Sequence, residues 1–275
     1  MERRALGRTL TLLLGLAGPA FAVGPWPEDL ADPHNLIKGV LEPSGKYASL
    51  QVFPEKLVFD VDWGLIDVGQ ATLEAPRLVD FGGIPAYEII SQANSNPFCS
   101  TFYKVRDVNK SWIDARGLYS LGYMKKLREG HFYRDEWVLF DPVSKVYRAR
   151  TIARDGAFSV LTGTIPVRVQ DVLSSLYFVR FGDLTPGKEI ILDVNTKENW
   201  PLVIKVIKRE TIRVKAGKFK TILVEPMLRK EGIFIQKGKR LQVWLTDDER
   251  KMVVQMKVEV FFGHITAKLE SYEPR

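Results

Sequence analysis

Side-chain alternation with a period of two, interrupted at short intervals by turn-forming residues, limits the fold of this chain more than any other feature. Leu57, Phe59, Val61 and Trp63 alternate with Val58, Asp60 and Asp62. Successive side chains of a strand point to opposite faces, so the segment predicts a strand with one buried face. Gly64 to Asp67 punctuates it, after which Val68, Gln70, Thr72 and Glu74 interleave with Gly69, Ala71 and Leu73, the pattern of a second strand in a hairpin. The same grammar runs on through Ala86–Ser91, Ser111–Ala115, Leu118–Leu127, His131–Phe140 and Lys145–Ile152. It resumes in Glu189–Val194, Leu202–Lys208, Thr211–Lys215, Phe219–Pro226, Gly232–Gln236, Arg240–Leu245, Val253–Val260 and Ile265–Tyr272. Many strands joined by short turns predict a mainly β chain, a large antiparallel curved sheet or barrel with one or two short helices packed against it. Ser95–Val105 fits helix or strand. Val169–Arg180 has apolar residues at 169, 172, 173, 176, 177 and 179, close to helical spacing, between Pro166 and Gly182, and is the best helix in the sequence, expected to plug or cap the sheet.

The first 22 residues read as a signal peptide. Arg3, Arg4 and Arg8 stand against one acid, Glu2; an uncharged stretch from Thr9 to Gly18 follows, and Ala20 and Ala22 precede a cut between Ala22 and Val23. That apolar stretch is about half of the roughly 20 residues a membrane span requires. No Cys lies at the cut to carry a lipid anchor, and no later stretch is long and apolar enough to span a membrane. The expectation is export to the periplasm or beyond. Residues 23–52, rich in Pro, Gly and polar residues, read as an arm, and 53–275 as a single β-rich domain.

Composition narrows the chemistry. The chain has 40 Lys+Arg against 33 Asp+Glu, with both signs interleaved. The basic runs at Lys125–Lys126 and Lys237–Arg240 are short and read as a solvated rim, so a nucleic-acid surface is not expected. Cys99 is the only cysteine, which excludes an intramolecular disulfide, and it reads as a buried structural thiol beside Phe98. His34, His131 and His264 show no metal-binding or catalytic spacing, and no G-x-S-x-G, P-loop or G-x-G-x-x-G is present. Asp60 and Asp62 share one strand face, read as solvent-facing; Asp247–Asp248 reads as a turn lacking the oxygen spacing of a calcium loop. No cofactor, metal or catalytic constellation is expected. Trp63, Trp112, Trp137, Trp200 and Trp244 each lie in or beside a strand, where they fill a core or line a cavity for an apolar ligand or a sugar.

Several blocks in order resemble the DUF3108 family of bacterial exported proteins. They are Phe53-Pro54-Glu55-Lys56-Leu57 with Val61-x-Trp63-Gly64 and Val68-Gly69-x-Ala71-x-Leu73, then Val169 to Tyr177, Arg209 to Thr221, and Val243 to Arg250. The resemblance covers about residues 53–272 and implies fold and export but no activity. Within it Asp171 is placed to cap the helix, and Lys215 to Phe219 reads as a tight hairpin around Gly217. Two functions remain: a non-enzymatic exported binder or carrier of an apolar or amphipathic envelope ligand, such as a lipid, and an assembly factor of the envelope acting through protein contacts. An enzyme acting on glycans or lipids is the third, less favoured reading. Trp63, Tyr177, Arg180 and Trp244 are the candidate ligand-binding residues.

Overall fold

The computed structural model describes residues 33–42, 55–228, 240–260 and 262–274. The leader, most of the arm and the expected strand Gly232–Gln236 lie outside them. The elements in chain order are β1 (Ile37–Leu41), β2 (Glu55–Trp63), β3 (Ile66–Phe81), β4 (Ile84–Ser95), α1 (Pro97–Ser100), β5 (Arg106–Asp114), β6 (Ser120–Glu129), β7 (Phe132–Asp141), β8 (Val146–Ala153), β9 (Phe158–Thr164), α2 (Val172–Val179), β10 (Glu189–Asn195), β11 (Asn199–Val214), β12 (Gly217–Leu228), β13 (Leu241–Thr246), β14 (Val253–Glu259) and β15 (His264–Pro274). A 3-10 turn, Pro33–Leu36, precedes β1. The class is mainly β, an antiparallel curved sheet with two short helices, as the alternation requires.

Among the described residues one sheet holds every strand, in the order β10-β11-β12-β13-β14-β15-β2-β3-β4-β5-β6-β7-β8-β9, with β1 paired to β3. All these pairs are antiparallel, and most join neighbours in sequence. The exceptions are β1 on β3 and β15 on β2, where Leu269 faces Phe59 and brings the two ends of the domain together. Leu202–Lys208 and Thr211–Lys215, read separately above, are one strand, β11, whose register shifts at 206–208. Ser95–Val105 holds only the single helical turn α1, begun by the Asn96 side chain accepting from the Cys99 amide at 2.8 Å. At Gly69 strands β3 and β4 approach so closely that a Cβ would lie 2.1 Å from the Asn94 carbonyl oxygen.

The sheet curls until β10 meets the start of β6, and a short segment after β9 closes the gap. The Ser120 amide donates to the Val169 carbonyl at 3.0 Å; the Gln170 amide donates to Asp193 and the Asn195 amide to Gln170, both at 2.8 Å. Inside the resulting barrel lies the largest core cluster, in which Leu57, Phe59, Leu73, Ile89, Val243, Leu245 and Leu269 surround Tyr177 and Val179 of α2. Strands β7–β9 extend beyond the barrel as a wing. Trp112, Met124, Trp137 and Leu139 pack on one of its faces against the 3-10 turn, and Tyr123, Val138, Phe140 and Tyr147 pack on the other.

Candidate functional site

The placement of α2 decides where the barrel is full and where it is hollow. Asp171 starts the helix: its Oδ1 accepts from the Leu173 and Ser174 amides at 2.8 and 3.1 Å, and Ser174 Oγ returns a contact to the Asp171 amide at 2.8 Å. This capping box satisfies amides that a helix start leaves open. The other carboxylate oxygen accepts from the hydroxyls of Ser111 at 2.6 Å and Ser120 at 2.5 Å, tying the helix to β5 and β6. Burial pushes the Asp171 carboxyl above its ordinary pKa, while these hydrogen bonds pull the other way. At the far end Arg180 donates to both Glu55 oxygens at 2.9 and 2.8 Å and to the Arg250 carbonyl, and Tyr177 Oη donates to Glu55 at 3.1 Å. Burial, then the Glu55 charge, holds the Tyr177 hydroxyl well above its usual pKa. Helix, β2 and the β13–β14 turn are thereby locked together, and this end of the barrel is plugged.

Toward the other end the inward-facing residues become progressively less covered. Phe59, Leu73, Val243, Val254 and Leu269 are buried, whereas Val61, Ala71, Leu241, Met256, Val258 and Ile265, one or two steps further along the same faces, are only partly so. Between them and α2 lies a partly open cavity of about 520 Å³. Its wall is mostly apolar: Leu173, Leu176, Leu202, Val243, Met256 and Ala267 are among its residues. The volume falls within the range of about 300–1,000 Å³ for small-molecule sites, and an apolar wall with few polar groups is their usual make-up.

The polar residues of the wall gather on one side. Lys125 of β6, opposite Asn109 of β5, lines the cavity together with Asp171, Ser175 and Thr196. Lys125 Nζ is 3.9 Å from Glu136 Oε1, which also accepts from Tyr123 Oη at 3.2 Å, while Lys197 Nζ lies 2.5 Å from Glu136 Oε2. Two lysines thus share one carboxylate beside the cavity. Burial is the largest influence on Lys125 and pulls its amine below the usual pKa, against the raising effect of Glu136 and Asp171. Lys110 also contributes to the wall, but its amine turns outward to Glu88 at 3.5 Å and His34 at 2.7 Å. Lys125, read in the sequence as solvated rim, is therefore buried; alternation sends Lys126 to the other face.

Around the mouth the turns carry exposed apolar residues. Trp63, Leu65 and Ile66 sit on the β2–β3 turn, Phe98 and Phe102 on or beside α1, and Phe262 on the β14–β15 turn. Trp63 Nε1 donates to the Phe262 carbonyl at 2.7 Å, and Asn96 Nδ2 to the Asp67 carbonyl at 2.9 Å, so these turns are neighbours.

The candidate residues from sequence lie in four places. Trp63 is on this rim and half exposed, although its strand phase placed it on the buried face; it lies past the point where the barrel covers that face. Tyr177 and Arg180 hold the plug. Trp244 faces out of the barrel between Val243 and Leu245 and donates from Nε1 to Glu210 at 2.9 Å. The cavity is lined without these four; of the tryptophans, Trp200 reaches it. Cys99 is partly rather than fully buried, in α1 with the Asp67 carbonyl 3.9 Å from its sulfur. Asp60 and Asp62 face outward, pairing with Lys215 at 3.7 Å and Lys268 at 2.9 Å. Asp248 organises its turn by accepting from the Arg250 and Lys251 amides. Among the described residues no group of three or more His, Cys, Asp or Glu side chains is placed to hold a metal ion. No helix among them is long and apolar enough to cross a membrane.

Fold and cavity together define a barrel-like β protein with a helical plug and an apolar interior. The chain belongs to the family described as protein of unknown function DUF3108, whose profile matches residues 58–270. No curated protein sequence matches it significantly. The crystal structure of a beta-barrel-like protein of the domain of unknown function DUF1849, from Brucella abortus, aligns over 81% of this chain and 98% of its own with a TM-score of 0.54 and 10% identity, a likeness of fold alone. A candidate lipoprotein from Parabacteroides distasonis aligns over 84% of this chain and all of its own at 8% identity, but its TM-score of 0.26 defines no common fold.

Proposed function

We propose that this protein is a non-enzymatic exported binder that carries an apolar or amphipathic envelope ligand inside its barrel. The observation that carries the reading is the cavity of about 520 Å³ between α2 and the sheet, walled by aliphatic side chains where a packed core would otherwise continue. An apolar void of this size forgoes packing contacts that its lining would otherwise make, and an apolar occupant restores them. The leader-like residues 1–22, with cleavage after Ala22, support export to the periplasm, where acyl-chain amphiphiles are at hand.

The test is native mass spectrometry of protein exported by its own leader and purified without detergent. A bound species of discrete mass is expected, and it should be lost in Ala267→Trp, which puts an indole into the cavity. A wild-type protein that carries no such mass and shows no saturable uptake of hexadecanoate or hexadecan-1-ol overturns the reading.

A second reading, an envelope assembly factor working through protein contacts, draws on strand β9. Phe158, Val160 and Leu161 are exposed there, and β9 ends the sheet order. In vivo crosslinking from position 160 that captures one specific envelope protein would favour it.

A further inference from the structure

We infer that the open end of the barrel docks on a lipid bilayer, with the exposed aromatic and aliphatic tips of its turns entering the headgroup layer and the cavity mouth meeting the lipid. The docking itself stands on the rim; only its purpose, the passage of a ligand, rests on the binding reading above.

Four turns that follow one another round the barrel make this rim: β14–β15, β2–β3, the α1 loop between β4 and β5, and β6–β7. Backbone hydrogen bonds hold them in line. The Gly64 amide donates to the His264 carbonyl at 3.0 Å, the Asn96 amide to the Val68 carbonyl at 3.0 Å, and the Gly130 amide to the Lys104 carbonyl at 2.8 Å. Among the described residues eight aromatic side chains are exposed, and six of them belong to these four turns. Leu65, at the tip of β2–β3, is fully exposed. Phe102 and Phe98 are 80% and 70% exposed, with ring centroids 5.6 Å apart. Tyr103 lies against Gly130, where a Cβ would meet its ring at 2.6 Å.

A soluble surface seldom gathers apolar groups in this way without a partner. Their placement on separate tips beside an opening selects the partner. A rigid protein surface would touch the tips and leave the opening between them empty, whereas fluid lipid fills both. Trp63 and Tyr103 add rings with a polar edge, the kind of side chain that settles at headgroup level. The cavity wall runs straight into the rim: Ile265, a wall residue, pairs with Trp63 across β15 and β2. Charge does not draw the rim to lipid. Residues 63–67, 96–106, 129–132 and 260–264 hold two cations, Lys104 and Arg106, and two anions, Asp67 and Glu129. Insertion of the apolar tips therefore supplies the affinity, which should be indifferent to headgroup charge and to salt.

Vesicle flotation of protein exported by its own leader tests this. Wild type should float with phosphatidylcholine vesicles as well as with vesicles containing phosphatidylglycerol, in low and high salt. Leu65→Ser with Phe98→Ser and Phe102→Ser should bind about tenfold or more weakly, because three tips forfeit their burial in lipid. Its urea midpoint should match wild type, since none of the three is buried. Wild type that does not float, or that floats only with phosphatidylglycerol and is released by salt, overturns the inference. So does a triple variant that floats like wild type. Photocrosslinking in cells from position 65 needs no such variant: it should label lipid, and capture of one specific protein instead, a second copy included, overturns the docking. Saturable uptake of hexadecan-1-ol reports on the cavity separately. Uptake without flotation removes the docking and leaves the carrier reading, and flotation without uptake does the reverse.

Discussion

Asp171 shows how much one side chain can be asked to do in a barrel of this kind. It caps α2, and it gives the buried hydroxyls of Ser111 and Ser120 their acceptor. Asp171→Ala removes a cap worth about 0.5–2 kcal/mol and leaves hydroxyls unsatisfied at about 1–3 kcal/mol, so urea denaturation should show a loss of roughly 3 kcal/mol. Asp171→Asn keeps an oxygen for the cap and should lose less. Its pH profile is the sharper readout. Because burial raises the folded pKa of Asp171 above its unfolded value, the folded state holds the proton more tightly. Stability contributed by the protonated form is present below the unfolded pKa and declines as pH rises through the folded pKa. Asp171→Asn should flatten that decline, and a profile unchanged from wild type would show that the carboxyl does not titrate differently on folding.

The elements that could be read from sequence are those with one wet and one dry face. Strands β2 to β8 and β10 to β15 announce themselves because barrel and wing cover one side while solvent or a second layer takes the other. β9 is exposed along nearly its whole length, so no alternation marks it, and β1 is too short to show a period. The helix was legible through its 3.6-residue spacing and through Asp171. Its place as a plug or cap of the sheet was legible as well; the contacts that lock it there were not, because Glu55, Arg180 and Arg250 come from distant parts of the chain. The cavity was equally hidden: an aliphatic residue lining a void and one filling a core obey the same alternation. Lys125 left a trace, since it shares the strand phase of Tyr123, and reading the Lys125–Lys126 pair as a unit concealed it. The plug itself yields a prediction. Arg180→Met leaves Glu55 buried beside Tyr177 without its cation, and removing one partner of a buried pair costs about 3–5 kcal/mol. Glu55→Gln with Arg180→Met should recover part of that loss in chemical denaturation; no recovery would mean that the arginine acts mainly through the Arg250 carbonyl.

At the scale of the whole molecule the barrel is unevenly closed. From β10 round to β6 each strand is joined to the next by a ladder, nine register pairs long between β2 and β3. The remaining gap, between β10 and β6, is spanned by the Val169–Gln170 segment through three backbone hydrogen bonds, supported by Gln170 Nε2 donating to the Leu118 carbonyl at 2.8 Å. Opening here breaks few bonds and frees the start of α2, whereas opening elsewhere unzips a full ladder. Local unfolding follows such differences, so native-state hydrogen exchange should find the amides of Gln170 and Asn195 exchanging about tenfold or more faster than those in the middle of the β2–β3 ladder, a gap of about 1.4 kcal/mol in opening free energy. Gln170→Ala, which removes the side-chain support but none of the three backbone bonds, should widen that gap without speeding exchange in β2–β3. Uniform protection across both regions would instead mean that the plug and the wing hold the seam as firmly as a ladder does, and that the barrel opens only by unfolding as a whole.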